Sequence, residues 1–155
     1  MIPLVIDTNI IYSAIYNKNG IERQLLNCII DNNEIQLFAP AIFWDEILRN
    51  LSKKLNFQEE TVNSILSQFD IIEISPKQYE PKIAEARSLI SHENDVPFVA
   101  CALFLNAPIW SGNETHFKAL DKSKKVIWFN SKRLNNFLKN NNIDKLDTND
   151  DRLTK

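Results

Sequence analysis

Along the chain, short apolar runs alternate with longer stretches of helical period. "PLVID" reads as a buried strand halted by the carboxylate of Asp7. "IIYSAIY" then starts a helix that resumes through "IERQLLNCIIDNN", where Leu25, Leu26, Ile29 and Ile30 keep helical spacing. "EIQLFAP" is a second strand, stopped by Pro40. "AIFWDEILRNLSKKL" is a helix with Phe43, Ile47, Leu51 and Leu55 at i, i+4 steps. "QEETVNSILSQF" is another helix and "IIEISP" a third strand. "YEPKIAEARSLI" predicts a helix with acids early and Arg87 late, as the helix dipole favours. "NDVPFVACALFLNA" is apolar on nearly every face, which predicts a central helix. "APIWSG" and "KVIWFN" complete the strands, and the polar helix "SKRLNNFLK" follows.

This βα alternation predicts an α/β fold: a three-layer sandwich with a mostly parallel sheet of about five strands and helices on both faces. Only two glycines occur, Gly20 and Gly112, which argues against a meander of tight hairpins. With 155 residues, of which 44% are hydrophobic and 25% charged, one core of ordinary composition is sufficient. Residues 1–140 read as one domain, and the polar segment 141–155, ending "DTNDDRLTK", as a disordered tail. A net charge of −2 excludes a strongly basic nucleic-acid coat but leaves room for a local basic patch. Cys28 and Cys101 sit in apolar helical contexts without zinc-type neighbours, and read as buried free thiols of a reducing compartment. Met1 leads straight into a strand, with no signal peptide, and no apolar run approaches a membrane span. A cytoplasmic location is the expectation.

The chemistry is expected where isolated polar residues punctuate this pattern. A buried carboxylate without a partner is costly, yet Asp7 lies between two apolar runs. Ser111, Gly112 and Asn113 follow the strand "PIW", Asp95 opens the apolar helix two residues before Pro97, and Glu46 lies early in the helix after the second strand. In open α/β sheets ligands gather beyond the carboxyl ends of strands, near the switch in strand order. Each residue also has a plain structural explanation. Asp7 could cap the helix after it or pair with a lysine, Asp95 could cap its helix, Glu46 could be a solvated acid, and Asn113 a turn residue. Taken together, three converging carboxylates repel unless a divalent cation neutralises them, and oxygen ligands suit Mg²⁺ or Mn²⁺.

Four segments, "VIDTNIIYSA", "FWDEILRNL", "NDVPFVACAL" and "IWSGNETHF", resemble in order the signature blocks of PIN-domain ribonucleases, which include the toxins of bacterial toxin–antitoxin pairs. The resemblance spans about residues 1 to 140. It implies a metal-dependent endoribonuclease in which Asp7, Glu46 and Asp95 hold Mg²⁺ or Mn²⁺ and act with Asn113 on the RNA backbone. Glu46 is chosen over the adjacent Asp45 because the acid of such families precedes an apolar helix turn of this kind. Family members often carry an aspartate in the fourth block where this chain has Asn113, a departure that bears on a second metal. The resemblance further implies supporting roles for Thr8, Asn9, Ser111 and His116, with Asn9 orienting Asp7 or holding a metal-bound water. His116 also reads as a plain surface histidine.

Two rival readings differ in class. An aspartyl-phosphate type of Mg²⁺-dependent phosphoryl-transfer enzyme also begins with a strand ending in Asp, but its usual D-x-D-x-T is D-T-N here. A non-catalytic or housekeeping RNA-binding protein on the PIN fold is the other, and Asn113 is the feature that supports it. RNA-backbone contacts are expected from Arg49, Lys53 and Lys118, with Lys54, Lys122, Lys124 and Lys125 as further cations. An antitoxin is the expected protein partner, and a homodimer is possible. Phe43, Trp44 and Leu48 offer an apolar ledge for either, although Phe43 reads rather as core.

Overall fold

The computed structural model describes residues 1–54 and 56–142, so Leu55 and the expected tail from residue 143 onward lie outside the described residues. Five strands form one parallel sheet: β1 (Ile2–Ile6), β2 (Ile35–Pro40), β3 (Ile71–Ile74), β4 (Ile109–Trp110) and β5 (Trp128–Phe129), in the order β3-β2-β1-β4-β5. The helices are α1 (Thr8–Tyr16), α2 (Ile21–Asn32), α3 (Ile42–Lys54), α4 (Glu59–Leu66), α5 (Pro76–Tyr79), α6 (Ile83–Leu89), α7 (Val96–Leu105), α8 (Glu114–Phe117), α9 (Leu120–Ser123) and α10 (Ser131–Asn140). The chain moves outward from β1 to β3 and then returns to β4 on the other side of β1. Right-handed crossovers therefore put α1–α4 and α5–α9 on opposite faces. In accord with this, α2 packs on β2, α7 lies against β1, β2 and β4, and α10 folds back onto α2 and β5.

The central strand is apolar because both of its faces are covered: Leu4, Val5 and Ile6 are all buried. In α3, Phe43, Ile47 and Leu51 form the buried stripe that the i, i+4 spacing predicts. The first turns of α7 are buried at every position from Val96 to Ala102 except the half-buried Pro97, but Phe104 near its end is 41% exposed, so the helix is central only in its earlier turns. The helix expected over "YEPKIAEARSLI" is broken: α5 gives way to a 3-10 turn, Glu80–Lys82, before α6 begins. Pro81 inside that turn has no N–H for an α-helical bond. The scarcity of glycine is offset by asparagine. Asn33 (φ 61°) ends α2 and Asn106 (φ 53°) ends α7, both in the left-handed conformation that asparagine tolerates.

Both cysteines are buried and unbridged, and burial pushes the Cys101 thiol up to about 12, leaving it unreactive. Among the described residues no helix is long and apolar enough to cross a membrane.

Phe43 is fully buried, so Phe43→Ala should destabilise the chain by roughly 3–5 kcal/mol in urea denaturation. Ile127, which is 60% exposed, should tolerate alanine within about 0.5 kcal/mol. Equal losses at the two positions would contradict this core assignment.

Candidate metal centre

The order of strands reverses between β1 and β4, and the residues that follow these two strands meet there. Asp7 directly follows β1 and caps α1: its Oδ1 accepts from the Thr8 N–H at 2.8 Å. Its Oδ2 accepts from the Ser111 hydroxyl at 2.7 Å. The capping explanation of Asp7 thus holds, but it accounts for only one of the two oxygens.

Ser111 is itself fixed on all sides. Its N–H donates to the Phe129 carbonyl (3.0 Å), its carbonyl accepts from Trp128 Nε1 (3.1 Å), and its Oγ accepts from the Asn113 N–H (3.0 Å). The neighbouring strand β5 thereby sets the hydroxyl that orients Asp7. Asn9 contacts the same region from the other side: its Oδ1 accepts from the Gly112 N–H at 3.4 Å, tying α1 to the loop after β4. Ser111 is the side chain that holds Asp7.

Thr8 joins the first acid to the second. Its N–H serves Asp7, while its hydroxyl donates to Glu46 Oε1 at 2.9 Å. Of the two adjacent acids in α3, Asp45 is exposed and Glu46 is half-buried facing Thr8. Asp95 is the last residue of a 3-10 turn, Glu93–Asp95, and precedes α7 without a side-chain cap bond. Its Oδ2 meets His116 Nδ1 at 2.8 Å instead. Asp95 therefore does not serve as the helix cap that its place before Pro97 suggests. His116 stands in α8, whose N-terminal neighbour Asn113 is half-buried.

The three carboxylates act on one another. Burial raises the Asp7 carboxyl to about 7, and the charges of Asp95 and Glu46 add to the rise, against the lowering hydrogen bonds from Ser111 and Thr8. Burial also raises Glu46, with Asp95 contributing, while the Thr8 bond and the nearby Arg49 lower it. Asp95 is raised by burial and lowered by His116 and His92. Among the described residues, no lysine or arginine forms an ion pair with Asp7 or Glu46. A desolvated carboxylate with two acidic neighbours and no ion-paired cation fits a hard divalent ion.

A different trio, His92, Asp95 and His116, has its donor atoms all within 4.8 Å of one another. His92 escapes a reading by motif because it precedes the third block. The available signal was scarcity: the chain holds two histidines, one three residues before Asp95 and the other three after Asn113.

The candidate RNA cations lie on the surface of the chain. Arg49, Lys53, Lys54, Lys118, Lys122 and Lys124 are exposed. Lys54 Nζ lies over the Tyr12 ring (5.4 Å), and Lys125 pairs with Glu85 at 3.3 Å. On the proposed ledge Phe43 is core, whereas Trp44 and Leu48 are half-buried. Trp44 also lines a pocket of 380 Å³ with Leu66, Phe69 and Ile71.

A family model described as PIN domain matches residues 5–146. No curated protein matches the chain. Several solved structures share the fold. A chain of VapBC2 from Rickettsia felis, crystallised bound to a promoter DNA fragment, is 22% identical with a TM-score of 0.60, covering 83% of this chain and 98% of that one. A chain of the DNA-bound VapBC from Salmonella typhimurium is 14% identical with a TM-score of 0.64, covering 84% and 99%. A chain of FitAcB from Neisseria gonorrhoeae is 20% identical with a TM-score of 0.59, covering 83% and 97%.

Because the folded Asp7 titrates near 7 while an unfolded aspartate titrates near 3.8, the folded state holds the extra proton between these values. The Asp7 contribution to metal-free stability therefore falls as pH rises from 4 to 7. Asp7→Asn removes this penalty. In EDTA its melting temperature should exceed that of the parent at pH 8, with the gap closing toward pH 4. A variant less stable than the parent at pH 8 would mark Asp7 as a purely structural anchor.

Proposed function

The chain belongs to the PIN domain family, and on that premise we propose that it is a divalent-metal-dependent endoribonuclease and the toxin of a toxin–antitoxin pair. The observation that supports this reading best is the buried Asp7 carboxylate at the end of the central strand, held by Ser111 and Thr8, joined through Thr8 to Glu46, and raised further by the charges of Asp95 and Glu46. Asp7, Glu46 and Asp95 would hold Mg²⁺ or Mn²⁺. Bound there, such an ion supplies stabilisation of charge on a phosphodiester and activation of water.

The remaining work falls to the chain's own groups. Thr8 and Ser111 hold the Asp7 and Glu46 oxygens in place, so little reorganisation is needed when a substrate arrives. Arg49 and Lys53 on α3, and Lys118 after α8, are exposed cations for RNA phosphates. Asn113 offers a neutral amide where many family members place a fourth acid, which favours a single-ion centre. The same residue supports the second reading, a non-catalytic or housekeeping RNA-binding protein of this fold.

The toxin assignment draws on the structures that share the fold, among them one described as a toxin–antitoxin complex from Klebsiella pneumoniae, 24% identical with a TM-score of 0.57. An antitoxin segment would place a basic side chain among the carboxylates and rest on the half-buried Trp44 and Leu48. The same ledge suits a second copy of the chain, and a cytoplasmic location follows from an RNA target.

Cleavage of a panel of cellular RNAs should require Mn²⁺ or Mg²⁺ and stop in EDTA. Asp7→Asn, Glu46→Gln and Asp95→Asn should each lower the rate by roughly 100-fold or more. Activity that persists in EDTA or in Asp7→Asn would contradict the reading. Expressed without a partner, the parent chain should arrest growth and Asp7→Asn should not. If both are harmless, the toxin assignment is wrong while the nuclease assignment is judged by cleavage alone.

A further inference from the structure

We propose that His92, Asp95 and His116 form a three-ligand site for a borderline divalent cation of the Zn²⁺ class, beside the carboxylate centre and sharing Asp95 with it. This goes beyond the nuclease reading and does not depend on it. The two imidazoles stack, with ring centroids 3.4 Å apart and planes 15° from parallel. His116 Nδ1 lies 2.8 Å from Asp95 Oδ2, and one donor atom from each of the three residues falls within 4.8 Å of the others. Donors around one tetrahedral zinc lie roughly 3.3 Å apart, given arms of about 2.0–2.1 Å. Because the lone pair of each imidazole lies in its ring plane, one ring must turn out of the stack for both to reach one ion, and the exposed His92 is the one placed to turn.

The surrounding structure prepares the trio. His116 is carried by α8, whose Phe117 is fully buried, and Asp95 by the turn that opens the buried helix α7. Glu93, next to His92, is held by Arg87 through Nε at 3.0 Å and Nη2 at 2.6 Å, which restrains the same turn. Neither imidazole fills core space: His92 is exposed, and the His116 side chain is 29% exposed. Packing therefore does not explain why the chain brings its two histidines into contact. Two imidazole nitrogens and one carboxylate oxygen select zinc-like ions over magnesium, and three protein ligands leave a position open to water or a phosphate oxygen.

The test uses the full chain without a histidine tag, stripped of metal, and titrated with ZnCl₂ by calorimetry. The expected result is one Zn²⁺ bound per chain, with His92→Ala and His116→Gln each weakening binding by roughly tenfold or more, and Asp7→Asn leaving it intact. In the parent chain, Zn²⁺ should shift the side-chain NMR signals of both imidazoles together, a readout that stands even if a variant fails to fold. The inference is overturned if Zn²⁺ is not bound, if the imidazole signals do not move, or if binding survives both histidine changes but is lost in Asp7→Asn. Zinc binding with no RNA cleavage would remove the nuclease proposal alone. Metal-dependent cleavage with zinc binding indifferent to both histidines would remove this one alone.

Discussion

The carboxylate of Asp7 is desolvated at the seam between β1 and β4, and two hydrogen bonds do not compensate for its charge. Burial and the neighbouring acids hold its titration near 7 despite Ser111 and the Thr8 N–H, which favour the ionised form. A fold that needed only a helix cap here would be served by asparagine or serine. Keeping an acid in this place, with Glu46 and Asp95 close enough to raise its pKa, costs stability when the carboxyl ionises.

The rest of the molecule serves to keep that placement rigid. The parallel sheet brings the ends of β1 and β4 side by side, with Ile6 in register with Trp110. Ser111, the next residue, is locked to β5 by its backbone and by Trp128. Trp110 in turn donates through Nε1 to Ser131, whose hydroxyl donates to Glu22, so that α10 and α2 close the same strands from one side. The order of strands thus passes directly into the orientation of one carboxylate, through the single hydroxyl of Ser111.

Much of this was legible in the residues. Strands buried on both faces appear as continuous apolar runs, and Asp7, Asp95 and Asn113 stand out because they interrupt or bound such runs. What remained hidden depended on contacts between distant segments. That Glu46 and not Asp45 faces the site depends on the rotation of α3 about its axis, which the apolar stripe constrains only to its margin. That Ser111 rather than Asn9 holds Asp7 depends on the register of β4 against β1. The break at Pro81 was foreseeable from proline alone, and the short helices α8 and α9 fall below the length at which periodicity is informative. The pairing of His92 with His116 joins the turn before α7 to the short helix α8, and no local pattern encodes it.

A divalent cation bound at Asp7 would relieve the unfavourable charge of its carboxylate. Mn²⁺ binding measured by calorimetry at pH 6 in two buffers of different ionisation enthalpy counts the protons that such an ion displaces. With Asp7 near 7, binding should release close to one proton at pH 6 and none at pH 8.5, and Asp7→Asn should remove the release. Mn²⁺ binding without proton release at pH 6, or binding of equal strength in Asp7→Asn, would contradict the account.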